Sequence, residues 1–314
     1  MGYPFPIMTK LDRPLRIGTR GSPLALAQAR ETQQRLAIAH PGLETELVVI
    51  KTTGDQILDR RLSEIGGKGL FTKELDAALA DGRIDCAVHS MKDLETALPD
   101  GTVIAAHLER EDPRDAYIGR DGIALADLPP GAVVGTASMR RQAQILSRRP
   151  DLTVIPFRGN VNTRLAKLAA GEAQATLLAM AGLRRLGMQQ HVTQALAPED
   201  MLPAVSQGAI GIQARADDGA VLALLGPLDH AETRIRVTAE RAMLAMLDGS
   251  CRTPIAGLAE FQPDGALRLR AMIARPDGTG RLDWEGFGAP ADAQALGRQA
   301  GEALKARAGE DFFT

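Results

Sequence analysis

The sequence predicts a mixed α/β fold that ends in a small α+β domain. Along most of the chain, short apolar runs alternate with longer helical stretches. Two similar strand–serine–helix units indicate two α/β domains that face each other, and the last part changes to short strands separated by Pro-Asp-Gly turns. A chain of 314 residues typically forms roughly two to three domains.

The first unit begins with a strand at residues 15–19 and a helix at residues 23–36. Ser22 is the expected N-cap of this helix, because its side chain can accept from a free backbone N–H, and Pro23 suits the first helical position. The same order of strand, capping serine and helix recurs where Ser138 precedes a helix at residues 139–146. The other predicted strands are residues 47–51, 84–89, 132–136, 154–157, 175–179 and 209–213, and the other helices are residues 70–80 and 162–170.

The C-terminal part is expected to form a separate α+β unit. A long helical stretch covers residues 229–247 and is followed by a turn at residues 251–254. Short strands at residues 256–261, 267–273 and 284–287 precede a final helix at residues 291–308.

Composition excludes several classes of function. The 37 basic and 39 acidic side chains give a net charge of −2, and aromatic residues make up only 3 %. A general nucleic-acid binder would need more positive charge and more aromatic surface. Cys86 and Cys251 are the two cysteines, which is too few for a disulfide framework or a cysteine zinc site. With neither a membrane-length apolar run nor a signal-peptide pattern in the sequence, we expect a cytoplasmic protein.

Positive charge is concentrated in one region, which predicts a polyanionic ligand. Between Ser138 and Lys167 the only acid is Asp151. The basic residues in this region are Arg140, Arg141, Arg148, Arg149, Arg158, Arg164 and Lys167. Arginine binds carboxylates and phosphates through paired hydrogen bonds, and the start of a helix already favours an anion. For any single arginine, a solvated helix face remains an alternative.

Two other segments contain residues that suit catalysis. Lys92 and Asp93 follow an apolar strand, where α/β sheets place ligand chemistry, although a surface pair at a helix start explains them equally well. Cys251 lies in a loop beside Arg252, which favours a thiolate, but most lone cysteines are inert. The glycine-bearing residues 52–69 are expected to form a flexible lid.

Taken together, the motifs closely resemble those of the porphobilinogen deaminase family. From about residue 15 to residue 255, seven occur in the family's order: Arg20-Gly21-Ser22-Pro23-Leu24-Ala25, Gly66-Gly67-Lys68-Gly69-Leu70-Phe71, Ala87-Val88-His89-Ser90-Met91-Lys92-Asp93, Ser138-Met139-Arg140-Arg141-Gln142, Arg158-Gly159-Asn160-Val161, Ala181-Gly182-Leu183 and Arg236-Val237-Thr238-Ala239-Glu240-Arg241. Each motif alone is modest, but the ordered set is specific.

The resemblance implies two α/β domains similar to periplasmic binding proteins and a third, α+β domain. The boundaries expected from it are residues 1–108 with 204–227, residues 109–203, and residues 228–314. The family joins four porphobilinogen units head to tail with loss of ammonia and then releases the linear tetrapyrrole hydroxymethylbilane by hydrolysis. Its dipyrromethane cofactor is held by a thioether, here expected on Cys251, and we expect a monomer that binds neither nucleic acid nor membrane.

The resemblance also implies roles for individual residues. Asp93 matches the catalytic carboxylate that stabilises cationic intermediates. The residues that match cofactor-binding positions are Lys92, Thr136, Ser138, Arg140, Arg141, Arg164 and Cys251, and those that match substrate-binding positions are Arg20, Ser22, Lys68, Arg158, Arg164 and Arg185. The alternative is a non-catalytic anion receptor or effector-binding module on the same two-domain fold, which would need the arginines but neither Asp93 nor Cys251.

Three positions depart from the family pattern. Glu95 stands where the family usually has proline, Ala137 where a second serine is common, and Ser206 where glycine is common. These differences affect loop geometry and leave the expected catalytic, cofactor and paired-arginine positions unchanged.

Overall fold

A computed structural model describes residues 11–53, 72–247, 253–309 and 312 of the chain. The strands are β1 (Leu15–Arg20), β2 (Thr45–Ile50), β3 (Cys86–Ser90), β4 (Thr102–His107), β5 (Asp115–Gly119), β6 (Val133–Gly135), β7 (Thr153–Ile155), β8 (Ala175–Ala179), β9 (Gln194–Ala195), β10 (Ile210–Arg215), β11 (Ile255–Phe261), β12 (Leu267–Ile273) and β13 (Leu282–Gly288). The α-helices are α1 (Pro23–Ala39), α2 (Lys73–Ala80), α3 (Met139–Arg148), α4 (Val161–Ala169), α5 (Met180–Arg185), α6 (Gly219–Leu225), α7 (Ala231–Met246) and α8 (Ala293–Ala308).

Two of the sheets have the same arrangement of strands. In the described residues, the first sheet has the order β2-β1-β3-β10-β4 and the second has the order β7-β6-β8-β5-β9. In the first sheet β2 and β3 run parallel to β1, and in the second β7 and β8 run parallel to β6. The first strand after each crossover, β10 in the first sheet and β5 in the second, pairs antiparallel with both of its neighbours. The chain therefore crosses from the first sheet to the second after β4 and returns before β10.

The third sheet is antiparallel, with the order β11-β12-β13. Helices α7 and α8 pack against each other and against this sheet around their own apolar core, which includes Met243, Leu269 and Leu304. The predicted fold class, two α/β units and a small C-terminal α+β domain, is therefore confirmed.

The local signals predicted most elements to within a few residues. Ser22 caps α1 by accepting from the amide of Ala25, and Ser138 caps α3 by accepting from the amide of Arg141, as expected. Strands β4, β5 and β9 and helices α5 and α6 were not predicted from the sequence. Residues 54–69 of the expected lid, the first two residues of the expected helix 70–80, and residues 251 and 252 of the expected turn lie outside the described residues.

The returning crossover contains a non-glycine residue in a left-handed conformation. Ser206, which replaces a common glycine, has a φ of 60° and is fully buried. Its amide donates to the carboxylate of Glu240, 2.6 Å away, but its buried Oγ has no hydrogen-bond partner among the described residues. The left-handed region is costly for a residue with a Cβ, and so is an unsatisfied buried hydroxyl.

We expect Ser206→Gly to stabilise the protein. Removing the left-handed strain of about 1–2 kcal/mol outweighs the entropy that glycine adds to the unfolded chain, about 0.4–1 kcal/mol, so the free energy of unfolding should rise by about 1 kcal/mol. Denaturant unfolding measures this change. Ser147→Gly, within α3, is the control and should lower the free energy of unfolding, because glycine is a poorer helix former than serine. A Ser206→Gly protein less stable than the parent would contradict the backbone strain assigned to Ser206.

Candidate active site

The first half of the candidate site lies where β1 and β3 end. Arg20 is the last residue of β1, and Asp93 ends a 3₁₀ turn, Met91–Asp93, that follows β3. Nη1 of Arg20 is 3.9 Å from Oδ2 of Asp93, whose side chain is 37 % exposed. Both line a pocket together with Ser22 and Gln28. The sequence-predicted Arg20, Ser22 and Asp93 therefore lie together beside open space.

The second half lies where β6 ends and α3 begins. Thr136 is buried just after β6, and its Oγ1 accepts from the amide of Ser138 at 3.2 Å. Ser138 in turn caps α3, as Ser22 caps α1. Each capping hydroxyl uses an acceptor site on its oxygen, so its own proton remains available for donation to an anionic ligand.

The paired arginines of α3 share one buried carboxylate. Nη1 of Arg140 lies 2.7 Å from Oδ2 of Asp115, and Nη2 of Arg141 lies 2.7 Å from Oδ1. Burial alone would raise the pKa of Asp115, but the positive charges of Arg140 and Arg141 outweigh that effect and hold the pKa well below its usual range. Asp115 therefore compensates part of the positive charge and fixes both guanidiniums in place.

Arg158 and Arg164 carry positive charge without a carboxylate partner among the described residues. Nη1 of Arg158 is buried and has no hydrogen-bond partner there. Nε of Arg164 donates to the carbonyl oxygen of Gly159 at 2.9 Å. Burial, reinforced by the charges of Arg141 and Arg158, lowers the pKa of Arg164 to about 10. A cluster of like charges of this kind is stabilised by an anion.

Lys92 connects the two halves of the site. Its Nζ donates to Oε1 of Gln207 at 3.4 Å, and Nε2 of Gln207 donates to Oδ1 of Asp115 at 2.9 Å. Burial lowers the pKa of Lys92 to about 8, against the raising effect of Asp93. Lys92 therefore lies within the electrostatic field of Asp93 and of the Asp115 cluster, which consists of Asp115, Arg140 and Arg141.

Arg185 lies at the junction of the two α/β units rather than among uncompensated charges. Its Nε donates to Oε2 of Glu31 on α1 at 3.0 Å, and its Nη2 donates to the carbonyl oxygen of Gly208 at 3.2 Å. A substrate carboxylate can bind this guanidinium only by taking the place of Glu31 or by using its remaining donors.

Two of the predicted site residues, Cys251 and Lys68, lie outside the described residues. The other cysteine, Cys86, is buried in β3, and burial raises the pKa of its thiol to about 12. A thiol of this kind is a poor nucleophile, which fits the inert role predicted for it.

Asp115 and Gln207 also belong to the site, although the sequence motifs did not predict them. Asp115 opens a strand whose other residues are apolar and buried, and a carboxylate in such a strand is the local signal for a buried ion pair. Gln207 carries no local signal, because its partners lie in distant parts of the chain.

Across the described residues, no helix combines the length and the apolar character needed to cross a membrane. The same residues contain no group of three or more His, Cys, Asp or Glu side chains that could hold a metal ion.

Comparison with known families decides which chemistry this site belongs to. Residues 15–223 match the family model described as "Porphobilinogen deaminase, dipyromethane cofactor binding domain", and residues 234–306 match "Porphobilinogen deaminase, C-terminal domain". The chain belongs to the porphobilinogen deaminase family. This agrees with the resemblance in the sequence motifs.

Curated relatives support the same assignment over nearly the whole chain. Porphobilinogen deaminase of Paracoccus denitrificans is 57 % identical over 305 residues, which cover 96 % of this chain and 97 % of that protein. The chloroplastic porphobilinogen deaminase of Pisum sativum is 55 % identical over 306 residues, which cover 95 % of this chain and 83 % of that protein.

Among solved structures, the periplasmic aliphatic sulphonate binding protein of Escherichia coli aligns with a TM-score of 0.40 and 15 % identity, covering 76 % of this chain and 72 % of that protein. At this score the alignment adds nothing to the fold assignment, which rests on the strand orders of the three sheets.

The family assignment separates the two functions left open by the motifs. The chain is a transferase of porphyrin biosynthesis that condenses porphobilinogen and uses a dipyrromethane cofactor. The alternative, a non-catalytic anion receptor, is not supported. The relatives described above are enzymes, and the alignments cover 97 % and 83 % of their lengths.

The pKa of Lys92 predicts an alkaline limit on activity. Below about pH 8 the ammonium is charged and would attract an anionic ligand, and above that pH the charge is lost. We expect kcat/KM for porphobilinogen to fall as the pH rises through about 8. In Lys92→Arg, whose guanidinium stays charged, this fall should disappear, whereas Lys92→Gln should have low kcat/KM at all pH values. If kcat/KM of Lys92→Arg still fell as the pH rises through about 8, the fall would belong to a group other than Lys92.

Proposed function

We propose that this cleft divides the condensation of porphobilinogen between a catalytic carboxylate, Asp93, and a set of cations that binds the carboxylates of the pyrrole rings. The observation that carries the proposal is the positive charge of Arg158 and Arg164, neither of which forms an ion pair among the described residues. The Asp93 carboxylate is close enough to Arg164 to interact with it electrostatically. Each pyrrole unit carries an acetate and a propionate, so the growing chain supplies the negative charge that the cleft lacks.

The residues around the cleft fit a dipyrromethane cofactor. Arg140, Arg141, Arg164 and Lys92 offer positive charge, and Thr136 and Ser138 offer hydroxyl groups. The buried Nε of Arg140 lacks a hydrogen-bond partner in the described part of the chain, so a donor is available for a ligand carboxylate. Cys251 is the proposed attachment point through a thioether. When bound, the cofactor supplies the pyrrole end to which porphobilinogen units are added.

Asp93 stabilises positive charge where it develops on the substrate. Loss of ammonia from porphobilinogen leaves a cationic pyrrole, and the attacking pyrrole nitrogen also gains positive charge. A carboxylate that is already held beside both nitrogens stabilises this charge without having to reorganise during the reaction. Arg20, 3.9 Å from Asp93, restrains the carboxylate from one side while leaving it more than one-third exposed to the pocket.

Arg20, Ser22, Arg158, Arg164, Arg185 and Lys68 are the proposed substrate-binding residues. Paired guanidinium–carboxylate hydrogen bonds orient each incoming unit. Ser22 donates its hydroxyl proton while its oxygen keeps the cap of α1. For Arg185, a substrate carboxylate either displaces Glu31 or uses the remaining donors of the guanidinium.

We also propose the domain boundaries expected from the resemblance: residues 1–108 with 204–227, residues 109–203 and residues 228–314. The membership of β10 in the first sheet and the packing of α7 and α8 on the third sheet support this division. We also propose that the protein is a cytoplasmic monomer, as expected from the sequence and from the resemblance to the family.

Asp93→Asn tests the catalytic role. The amide nearly preserves the shape of the side chain but cannot offer a full negative charge to the cationic intermediates. We expect kcat to fall on the order of 10²–10³-fold, because loss of a preorganised electrostatic partner affects the transition state most. The assay is porphobilinogen consumption, with enzyme–substrate adducts counted by intact mass. Turnover at the parent rate would contradict the assignment.

Cofactor attachment is the control in this experiment. Asp93→Asn should keep the two-pyrrole mass increment, and peptide mapping should place it on Cys251. Cys251→Ala should lose the increment and the activity while remaining folded, whereas Cys86→Ala should keep both. An active preparation whose mass equals that of the bare chain would contradict covalent attachment.

A further inference from the structure

The position of the Asp93 carboxylate depends on a short backbone turn. At the start of the turn, the amide of Met91 donates to the carbonyl oxygen of Ala209 at 3.0 Å. Within it, the amide of Leu94 donates to the carbonyl oxygen of Met91 at 3.3 Å. The sheet therefore holds the start of the turn, while the chain after Asp93 has left the sheet and needs a different restraint.

The restraint comes from Arg241, on helix α7 of the C-terminal domain. Its Nη1 donates to the carbonyl oxygen of Leu94 at 3.1 Å, and its Nη2 donates to those of Glu95 and Thr96, the latter at 3.2 Å. One guanidinium thus binds three successive carbonyl groups directly after the catalytic residue.

An apolar contact on the same face of α7 supports the polar one. Val237 lies one turn before Arg241 and belongs to a buried cluster with Met91, Leu94 and Ala209. Side chains on either side of Asp93 are therefore packed against α7, and the backbone that follows is hydrogen-bonded to it.

Arg241 has no carboxylate partner in the part of the chain that the structure describes. Burial lowers the pKa of its guanidinium to about 10. A buried arginine held only by carbonyl dipoles contributes less to stability than one held by an acid, because the desolvation of its charge is only partly offset. Its specific effect is to fix the backbone to which it is bound.

The replacement of the family's usual proline by Glu95 increases the need for this restraint. Proline would fix φ at that position, whereas glutamate leaves the backbone free to rotate. Because Arg241 binds carbonyl groups, the contact with residue 95 does not require a particular side chain there.

We infer that Arg241 is a positioning residue for the condensation reaction, holding the backbone after Asp93 so that the carboxylate stays aligned with the pyrrole nitrogens. This inference rests on the catalytic role proposed for Asp93. The same helix leads along the chain to Cys251, so Arg241 ties the position of the catalytic carboxylate to the domain that carries the proposed cofactor attachment.

A double-mutant cycle tests the inference. Arg241→Met, Asp93→Asn and the double variant are compared by kcat and KM per cofactor-bearing molecule, counted by intact mass, and by thermal midpoint. We expect Arg241→Met to lower kcat by about 10–100-fold, since displacement of a catalytic group by about 1 Å costs up to about 10²-fold. KM should change by less than about threefold, and in the Asp93→Asn background the further loss of kcat should be less than about threefold.

Two further variants distinguish positioning from a general structural role. Arg241→Lys keeps the charge but lacks the planar fork, so its kcat should lie between those of the parent and Arg241→Met. Arg234→Met, on the same helix with a more exposed side chain, is the control and should leave kcat unchanged.

The outcomes distinguish the positioning role of Arg241 from the catalytic role of Asp93. Equal losses of kcat from Arg241→Met in the parent and in the Asp93→Asn background, or an unchanged kcat in Arg241→Met, would overturn the positioning role while leaving the role of Asp93 intact. Parent-like turnover of Asp93→Asn would instead overturn the proposed function, and the inference would fail with it.

Discussion

The carboxylate of Asp115 lies buried between the guanidiniums of Arg140 and Arg141, and the charge balance of the cleft depends on this contact. Burying each of these ions costs several kcal/mol, and removal of one partner leaves an uncompensated charge. Asp115 makes it possible to bury the two arginines without making the site neutral. The described cations of the cleft are Arg20, Lys92, Arg140, Arg141, Arg158 and Arg164, against the carboxylates of Asp93 and Asp115. The excess positive charge matches a ligand that gains carboxylates with each added unit.

The same cleft is assembled from all three parts of the chain by buried polar contacts at the crossovers. Gln207 links Lys92 of the first α/β unit to Asp115 of the second. Glu240, on helix α7 of the C-terminal domain, accepts from Arg110 and from the amide of Ser206, one residue on each crossover. Buried polar contacts of this kind fix geometry more than they add stability. The C-terminal domain therefore contributes to the alignment of the two halves as well as carrying the proposed cofactor attachment.

Local signals in the sequence predicted the parts of the structure that local physics determines. The caps at Ser22 and Ser138 follow from side-chain chemistry within one helical turn, and the apolar strands follow from their composition. The family motifs supplied the site residues. What could not be predicted depends on long-range pairing: the Asp115 cluster joins β5 to α3, and the partner of Arg185 is Glu31 on α1. Equally, nothing near Arg241 indicates that its partners are backbone carbonyls after Asp93.

The central claim is that uncompensated guanidinium charge binds the carboxylates of porphobilinogen, and Arg158 offers the most direct test. The measurement is KM for porphobilinogen with Arg158→Gln protein that carries the cofactor. Loss of a hydrogen bond to a charged group, worth about 1.5–3 kcal/mol, corresponds to a rise in KM of about one to two decades. The thermal midpoint should stay unchanged. Nη1 of Arg158 has no hydrogen-bond partner among the described residues, so its removal breaks no hydrogen bond there. Arg149→Gln, whose parent side chain pairs with Asp151, is the matched control and should leave KM unaltered. An unchanged KM in Arg158→Gln, with cofactor loading intact, would contradict the account.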